Sequence, residues 1–571
     1  MPPNEPNIPV KPRLDTYHFY EQDWAGYDEL YEAFEHEVPR EFNTATYVCD
    51  RWAEANPNKV AVHGIDADGT DTDYTYGQLQ RSANQLANYL EKQGVEEGVR
   101  IAVNGTQRIE CLVAHLAAWK LGAVSVPLSV LYGPDGLEYR LDDSGAKVFV
   151  VDETSLDALR EIKGGLADLD TVLTIGRTSI EADETEFWTA VENESIDFNT
   201  TTTAADDEAA IVYTSGTTGP PKGVVHAHRV LLGLLPAYVT GVCNMELRET
   251  DVIHTPAEWS WLGSLYSGVL ASLFYGIPIV GDADPQFDPE ATLELLGEYD
   301  VSIIGGPATV YRMLMEVPGV NERYDLSSLR VVMQGGEALG QSIVDWFREA
   351  VDDIAIHGGY GQTETGVVIR ECEALGVEHK PGHMGKPVPG SEVGILDEDA
   401  TELLGVDEVG EIAVRYGTNP MYFKEYWEKQ GDTAETRSDG WHRTGDLGKR
   451  ARDGYFAFHS RKDDVIISSG YRIGPTEIEE CLAEHEAVVN AGVIGIPDEE
   501  RGEIPKAFVV LAEGYDPTAE LSDELQVHVK ARLAKYEYPR ELEFVDELPK
   551  TTTGKVRRRD LREREGLIEA G

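Results

Sequence analysis

Two hydrophobic periodicities alternate along the first half of the chain. Stretches with apolar residues every three or four positions, such as YGQLQRSANQLANYLEKQG, alternate with short β-branched runs such as VRIAVNG and AVSVPL. The first spacing is typical of amphipathic helices and the second of buried strands. Later apolar runs, VSIIGG, RVVMQGG and IAIHGGYG, each end on glycines. Alternating helices and strands predict parallel α/β sheets, whose ligands bind at the carboxyl ends of the strands.

The pattern changes near Pro389, where short strands and turns replace this alternation. GEIAVR and DGYFAFHSRKDDVIISSGYRIG are typical of a β-rich section, and VVNAGVIGIPD and KAFVVLAE return to mixed α/β. We place the boundary in the charged segment SRKDDVI, since no long linker separates the parts. The predicted fold is α/β. A large N-terminal domain spans 1–462, with a β-rich part at about 389–462, and a small mobile α+β domain spans 463–571.

One apolar stretch is long enough to cross a membrane. WSWLGSLYSGVLASLFYGIPIVG, residues 259–281, carries no charge across 23 positions. Its serines, glycines and proline favour a buried helix followed by a short strand, YGIPIVG. We therefore predict no membrane insertion.

The charge balance suggests a salt-adapted surface. The chain has 571 residues and a net charge of −54, with 18 Lys against 31 Arg. Self-repulsion of this size destabilises a compact state unless salt screens it. We predict an origin in a salt-adapted organism, with an ordinary acidic protein as the alternative. Nucleic acid and anionic membranes are expected to be poor partners.

The cysteines and the N-terminus give no sign of export. The five cysteines are far apart and form no CxxC or other zinc spacing, which favours reduced thiols. Cys111 lies in an apolar helical stretch and is expected in the core. MPPNEPNIPVKPRLDTYHFYEQDW lacks the apolar segment of a secretory signal. A cytoplasmic location is expected.

The stretch YTSGTTGPPKGVVHAHR, residues 213–229, predicts an anion-binding loop. Glycines let backbone amides approach phosphate, and one lysine adds charge. The nucleotide P-loop does not fit, because its first glycine would be Pro221 and its Ser/Thr would be Gly223. A nucleotide held here would therefore sit on a different fold. His226 and His228 alternate, yet no third ligand is suggested, so a metal site is not expected.

Six motifs in order resemble those of one family. They are TSGTTGPPKG (214–223), GGEAL (335–339), YGQTETG (360–366), RTGDLG (443–448), SRKDDVIISSGYRIGPTEIE (460–479) and LPKTTTGKVRR (548–558). Their order and spacing resemble the adenylate-forming superfamily of acyl-CoA synthetases, peptide-synthetase adenylation domains and luciferases. SSGYRIGP and RGEIPKAF are most similar to medium-chain acyl-CoA and acetyl-CoA-type synthetases. The resemblance implies a ligase that activates a short-to-medium-chain acid with ATP and transfers it to the thiol of coenzyme A.

The resemblance also implies an ATP site made from several motifs. The glycine-rich loop would hold the phosphates, GGEAL and YGQTE would contact adenine, and Asp446 would bind the ribose. A surface ion pair is the alternative for Arg461. The implied ATP-binding residues are Thr214, Ser215, Gly216, Thr217, Thr218, Gly219, Lys222, Gly336, Glu337, Ala338, Gly359, Tyr360, Gly361, Gln362, Thr363, Asp446, Arg461 and Lys555. Glu364, with Thr363 beside it, matches the family's Mg²⁺ ligand.

Lys555 matches the family's lysine that bridges the attacking carboxylate and the α-phosphate. Lys222 and Arg472 are implied as further catalytic residues. From Lys550 to Arg564 the chain carries seven cations against two anions, which predicts a meeting with an anion. For the arginines at 557–559, a helix end that solvates itself is the alternative.

A swinging C-terminal domain and a CoA tunnel follow from the same resemblance. Asp463 matches the hinge between the two half-reactions. The implied CoA-binding residues are Ser469, Gly470, Tyr471, Arg501, Lys530 and Arg540.

The acyl pocket is predicted to be deep. In acetate-specific relatives a tryptophan stands at the position of Gly361 and a branched residue at that of Gly335, while Trp261 would form another wall. Acids longer than acetate are therefore expected. Two alternatives stay open, a stand-alone amino-acid adenylation enzyme and a catalytically silent adenylate sensor. The oligomeric state is undetermined.

Overall fold

An eight-stranded sheet contains the first alternating pattern. The structure is a computed structural model that describes residues 10–176, 179–214, 220–284, 286–336, 339–468, 471–498, 501–512, 514–533, 538–550 and 555–568. In spatial order the strands are Glu425–Tyr426, Lys222–Ala227, Glu208–Thr214, Val124–Leu128, Arg100–Asn104, Val148–Asp152, Thr171–Ile175 and Thr185–Glu186. The last six strands run parallel. Lys222–Ala227 pairs antiparallel with both of its neighbours, Glu425–Tyr426 and Glu208–Thr214, and it forms a hairpin with Glu208–Thr214.

A seven-stranded sheet contains the later apolar runs. Its strands, in spatial order, are Ala355–His357, Val331–Gln334, Ile303–Gly306, Ile253–His254, Ile279–Asp282, Val60–Ile65 and Asp71–Thr75. All neighbours are parallel except the last pair. The carboxyl ends of these strands carry the glycines that the sequence places after each run. The predicted parallel α/β class is confirmed.

Helices cover these sheets and bury their apolar faces. Thr75 begins the helix Tyr76–Lys92 with a capping box, in which Gln78 reaches back to the Thr75 backbone. The α-helices before residue 460 are Tyr27–Ala33, Arg51–Ala55, Tyr76–Lys92, Ile109–Lys120, Pro134–Ser144, Leu156–Ile162, Phe187–Val191, Val230–Ala237, Ala271–Tyr275, Pro289–Glu298, Ala308–Met315, Val320–Arg323, Gln341–Ala350 and Gln430–Glu435. Cys111 is buried in the core, as predicted.

The uncharged stretch 259–281 lies inside this core. It forms a π-helical segment, Gly263–Leu270, then the helix Ala271–Tyr275 and the strand Ile279–Asp282. The expected helix and strand are therefore present. Among the residues that the structure describes, no helix has both the length and the apolar character needed to span a membrane.

Two smaller sheets follow, of which the second lies within the predicted β-rich part at about 389–462 and the first precedes it. The first has three strands, Gly359–Gln362, Gly366–Arg370 and Lys386–Pro387. The second has five strands, Val393–Leu396, Gly410–Arg415, Arg437–Ser438, Trp441–Arg450 and Phe456–Arg461. The last of these strands leads directly into the 3₁₀ turn Lys462–Asp464.

The strands after this turn pair only with one another in the described part of the chain. They are Tyr471–Ile473, Ile466–Ser468, Gly502–Leu511, Val488–Asp498 and Glu541–Phe544. Three helices pack with them, Pro475–Ala483, Ala519–Arg532 and Arg558–Arg564. This is the small α+β C-terminal domain, while its boundary at residue 463 stays a prediction.

Candidate active site

The phosphate-loop motif joins the two strands of the hairpin. Thr214 ends one strand and pairs with Lys222, which begins the next, and the Thr214 hydroxyl donates to the Lys222 carbonyl at 3.4 Å. The predicted residues Ser215, Gly216, Thr217, Thr218 and Gly219 lie outside the described residues. The hairpin therefore fixes both ends of the loop.

Lys222 lies between an acid and an aromatic ring. Its Nζ is 2.7 Å from Asp432 Oδ2 and 5.0 Å from the centroid of the Tyr426 ring. Asp432 belongs to the helix Gln430–Glu435, and Tyr426 to the edge strand beside Lys222. Asp432 and Tyr426 together therefore limit the positions of the Lys222 ammonium.

Glu364 occupies the turn between the strands Gly359–Gln362 and Gly366–Arg370, beside Thr363. The Tyr426 hydroxyl donates to Glu364 Oε1 at 2.7 Å. Burial raises the pKa of the Glu364 carboxyl, and the Tyr426 hydrogen bond acts in the opposite direction. A carboxylate next to a threonine hydroxyl offers the hard oxygen ligands that Mg²⁺ prefers. The residues present therefore fit this ion.

Asp446 accepts contacts from donors on two strands, Gly359–Gln362 and Phe456–Arg461. Tyr360 Oη and Gln362 Nε2 both donate to Asp446 Oδ2 at 2.7 Å, and Arg461 Nη1 is 2.9 Å from Oδ1. Asp446 is 3% exposed, so these contacts compensate its burial. The implied ribose ligand and the adenine strand are thus brought together. Arg461 pairs with this buried carboxylate rather than with a surface acid, and its implied contact with the nucleotide stays a prediction.

Lys555 reaches the carboxyl end of the strand Val331–Gln334. A Cβ atom placed on Gly336 would lie 3.6 Å from Lys555 Cε. Glu337 and Ala338 lie outside the described residues. Lys555 of the C-terminal domain therefore lies beside Gly336 of the N-terminal domain, and its implied catalytic role stays a prediction.

The implied CoA residues are brought together only in part. Lys530 Nζ lies 3.9 Å from the Tyr538 ring centroid, and Arg540 Nη1 donates to the Tyr538 hydroxyl at 2.9 Å. Arg501 lies elsewhere and donates its backbone N–H to Asp498 at 2.8 Å. Ser469 and Gly470, and the side chains of Tyr471 and Arg472, lie outside the described part of the chain.

The hinge candidate Asp463 lies in the turn Lys462–Asp464, and its side chain is not among those described. The residues before and after Asp463 form ion pairs with different domains. Lys462 Nζ is 3.1 Å from Glu411 in the N-terminal domain. Asp464 is 3.0 Å from both Arg558 and Arg562 in the C-terminal domain. The ion-pair partners change from the N-terminal to the C-terminal domain between residues 462 and 464, so we expect the rotation axis at this point.

At Gly361 the structure favours strand packing over an open acyl pocket, and its place in that pocket stays a prediction. A Cβ atom there would overlap the carbonyl oxygen of Gly366, in the neighbouring strand of the same hairpin. At Gly335, by contrast, a Cβ atom would have no atom of the described residues within 4 Å. Trp261 is half-buried, and it lies more than 4 Å from that Cβ position.

The tail arginines pair with nearby carboxylates. Arg558 lies 2.6 Å from Glu479, Arg557 3.0 Å from Asp560, and Arg559 3.1 Å from Glu563. For these three the expected meeting with an external anion is wrong, because the folded chain supplies their partners. His226 and His228 are fully buried, and neither belongs to a cluster of potential metal ligands among the described residues.

Three residues of the site were missed by the sequence analysis. Tyr426 contacts Lys222 and Glu364, and Asp432 pairs with Lys222. Glu411 accepts the Gly445 backbone N–H at 3.1 Å and pairs with Arg443 and Lys462. None of them belongs to a glycine-rich or charged motif, so residue type alone gave no signal.

Comparison with known proteins agrees with this geometry. The model of the AMP-binding enzyme family matches residues 49–427, and that of the AMP-binding enzyme C-terminal domain matches 477–555. The chain is 36% identical over 529 residues to "Uncharacterized acyl--CoA ligase YtcI" of Bacillus subtilis, covering 90% of this chain and 94% of that protein. It is 34% identical to the Bacillus subtilis acetyl-coenzyme A synthetase, covering 100% and 98%.

A solved structure supports the same assignment. The anthranilate CoA ligase AuaEII, in complex with anthranoyl-AMP, superposes with a TM-score of 0.85 at 28% identity, covering 93% of this chain and 98% of that one. The fold and site define an adenylate-forming enzyme, of the class of AMP-forming acid–CoA ligases. The chain belongs to the AMP-binding enzyme family.

Proposed function

We propose that this protein joins a carboxylic acid longer than acetate to coenzyme A, through an acyl-adenylate. The supporting observation is the open space at Gly335, next to the strand end that Lys555 approaches. The relatives do not identify the acid, since the acetyl-CoA synthetase of Bacillus subtilis and the acyl-CoA synthetase ACSM3 of Mus musculus match this chain at similar identities, 34% and 33%.

In the first half-reaction an acid oxygen bonds to the α-phosphorus, and pyrophosphate leaves. Negative charge builds up where two anions meet, so cations fixed in advance lower the barrier. Lys222 would hold the outer phosphates, Lys555 would lie between the carboxylate and the α-phosphate, and Asp446 would hold the ribose. Glu364 and Thr363 would bind Mg²⁺, which neutralises phosphate charge when bound.

In the second half-reaction the CoA sulfur bonds to the acyl carbon, and AMP leaves. Lys555 must withdraw so that the thiol can reach the adenylate. The change of partners around Asp463 is the place for that rotation. Lys530 and Arg540, next to Tyr538, would then contact the CoA phosphates, while Arg472 and the segment around Tyr471 would line its path.

The test is a substrate series from acetate to octanoate, with benzoate added, measuring pyrophosphate and thioester with and without CoA. We expect CoA-dependent thioester formation. The specificity constant should rise about fourfold per added methylene up to butyrate, because burying each methylene contributes roughly 0.8 kcal/mol. A preference for acetate would refute the long-acid proposal. Activity only with amino acids would refute the acyl-CoA ligase itself.

A further inference from the structure

One tyrosine connects two residues of the proposed ATP site. Glu364 and Lys222 lie on different segments, and Tyr426, which contacts both, belongs to none of the six motifs. Tyr426 donates its hydroxyl to Glu364 Oε1 at 2.7 Å, while its ring lies 5.0 Å from Lys222 Nζ. The same side chain therefore touches both the metal-ligand candidate and the phosphate lysine.

The backbone around Tyr426 is fixed on several sides. Tyr426 pairs with Val224 in the eight-stranded sheet, and its N–H donates to Thr433 Oγ1 at 2.9 Å. The N–H of Phe423 donates to the Glu364 carbonyl at 2.9 Å, which ties this segment to the Glu364 turn. Tyr426 is 6% exposed and packs with Phe423 and Tyr422. Its two functional contacts thus start from a rigid position.

Each contact has its own physical effect. A hydrogen bond to a ligating carboxylate selects one orientation of that carboxylate, and such outer contacts strongly influence metal affinity. A cation beside an aromatic face is attracted by the ring quadrupole, which limits the positions of the ammonium. Removing the hydroxyl and removing the ring are therefore separable changes.

We propose that Tyr426 is a positioning residue that orients Glu364 for the metal ion and Lys222 for the phosphates of the same nucleotide. This inference rests on the proposed function, in which Glu364 binds Mg²⁺ and Lys222 binds phosphate. Tyr426 touches neither the metal nor the nucleotide and acts through the two side chains that do.

The test compares Tyr426→Phe, which keeps the ring, with Tyr426→Leu, which removes it. ATP binding is measured by calorimetry across a Mg²⁺ series, and Mn²⁺ binding in the presence of ATP is measured by electron paramagnetic resonance. Tyr426→Phe should raise the metal concentration for half-maximal ATP binding about tenfold or more. ATP affinity at saturating Mg²⁺ should stay within about twofold of the unmodified protein in this variant, since the lysine contact remains.

Tyr426→Leu should show the same metal defect and a further loss of ATP affinity at saturating Mg²⁺, roughly three- to tenfold. Tyr422→Phe is the matched control. Tyr422 is buried in the same aromatic cluster, but its hydroxyl contacts His442 at 3.1 Å and Arg437 at 3.1 Å. The control should leave the metal dependence unchanged, and an equal shift in both phenylalanine variants would overturn the proposal.

Glu364→Gln separates the inference from the function on which it rests. In the Glu364→Gln background, Tyr426→Phe should cause no further rise in the metal concentration for half-maximal ATP binding, because the two residues act as one pair. If Glu364→Gln alters the metal dependence and Tyr426→Phe does not, the role of Tyr426 is refuted and the proposed function stands. If Glu364→Gln leaves the metal dependence unchanged, both are refuted.

Discussion

At the scale of single residues, the candidate active site depends on the positions of a few charged side chains and of two glycines. Lys555 approaches Gly336 from the C-terminal domain, and Asp446 accepts hydrogen bonds from Tyr360 and Gln362. Among the described residues, no atom lies within 4 Å of a Cβ position on Gly335, whereas Gly361 is packed against its hairpin partner. A side chain is therefore easier to accommodate at Gly335 than at Gly361.

Lys555→Ala is expected to abolish adenylation and to spare thioester formation from preformed acyl-adenylate. The lysine offsets charge that develops only in the first transition state, so its loss should cost about 3 kcal/mol or more, roughly a hundredfold in rate. Each half-reaction is measured separately by rapid quench. Lys550→Ala, an exposed lysine of the same tail, serves as the control. Equal losses in both half-reactions would contradict the assignment.

Gly335→Val is expected to shift preference toward acetate. Within the described part of the chain, no atom lies within 4 Å of the new Cβ position, so the fold should tolerate the added methyl groups while the proposed acyl pocket shortens. Butyrate should lose about tenfold or more in specificity constant relative to acetate, since two methylenes contribute roughly 1.6 kcal/mol. Gly361→Ala should instead lower the melting temperature. A stable Gly361→Ala enzyme would show that the hairpin relaxes easily.

At the scale of elements, the helix Arg558–Arg564 is attached to the residue that follows the predicted hinge. Arg558, which begins this helix, pairs with Asp464 and with Glu479 on the helix Pro475–Ala483. Lys555 lies three residues earlier in the chain. A rotation at Asp463 would therefore move Asp464, this helix and Lys555 together as one body.

Arg558→Met is expected to destabilise the C-terminal domain by about 2–4 kcal/mol, because it leaves two half-buried carboxylates with fewer partners. Arg559→Met is the matched control, since among the described residues that arginine pairs with Glu563 alone, in an i,i+4 contact of the kind that contributes about 0.3–0.5 kcal/mol. Denaturant unfolding in molar salt gives both values. Similar values for the two variants would show that the contact with Asp464 and Glu479 has no special role.

At the scale of the whole molecule, charge governs the conditions under which the fold is stable. The net charge of −54 is spread along the chain, and the Debye length falls from about 10 Å at 0.1 M salt to about 3 Å at 1 M. Dialysis from 2 M KCl into about 0.1 M should therefore cause loss of helical circular dichroism and of activity. Full retention of both would place the protein among ordinary acidic enzymes.

Acid should also unfold the molecule. Burial lowers the pKa of His115, His226, His228 and His442 to about 3 each. The unfolded imidazoles take up protons near pH 6.5, so below that pH the unfolded chain binds more protons and the free energy of unfolding falls. Each histidine contributes up to about 1.4 kcal/mol per pH unit. The denaturant concentration at the unfolding midpoint, measured in 2 M KCl, should fall steeply between pH 7 and pH 5 and stay constant between pH 8 and pH 7. A constant midpoint between pH 7 and pH 5 would contradict this prediction.

The sequence by itself determined the class of fold and named candidate residues for the site. Periodicity reflects which residues are buried within one element, so it predicted the helix Tyr76–Lys92 and the parallel strands. The six motifs name Lys222, Glu364, Asp446 and Lys555 through their resemblance to one family, and the roles of these residues stay predictions.

Only the tertiary structure decided how these motifs meet. Tyr426 is 62 positions from Glu364, and Asp464 is 94 from Arg558, so no local pattern records either contact. The direction of Gly361 depends on its hairpin partner, which an analogy with relatives could not give. Long-range partners are set by strand order and by the packing of one domain on another, and these exist only once the chain has folded.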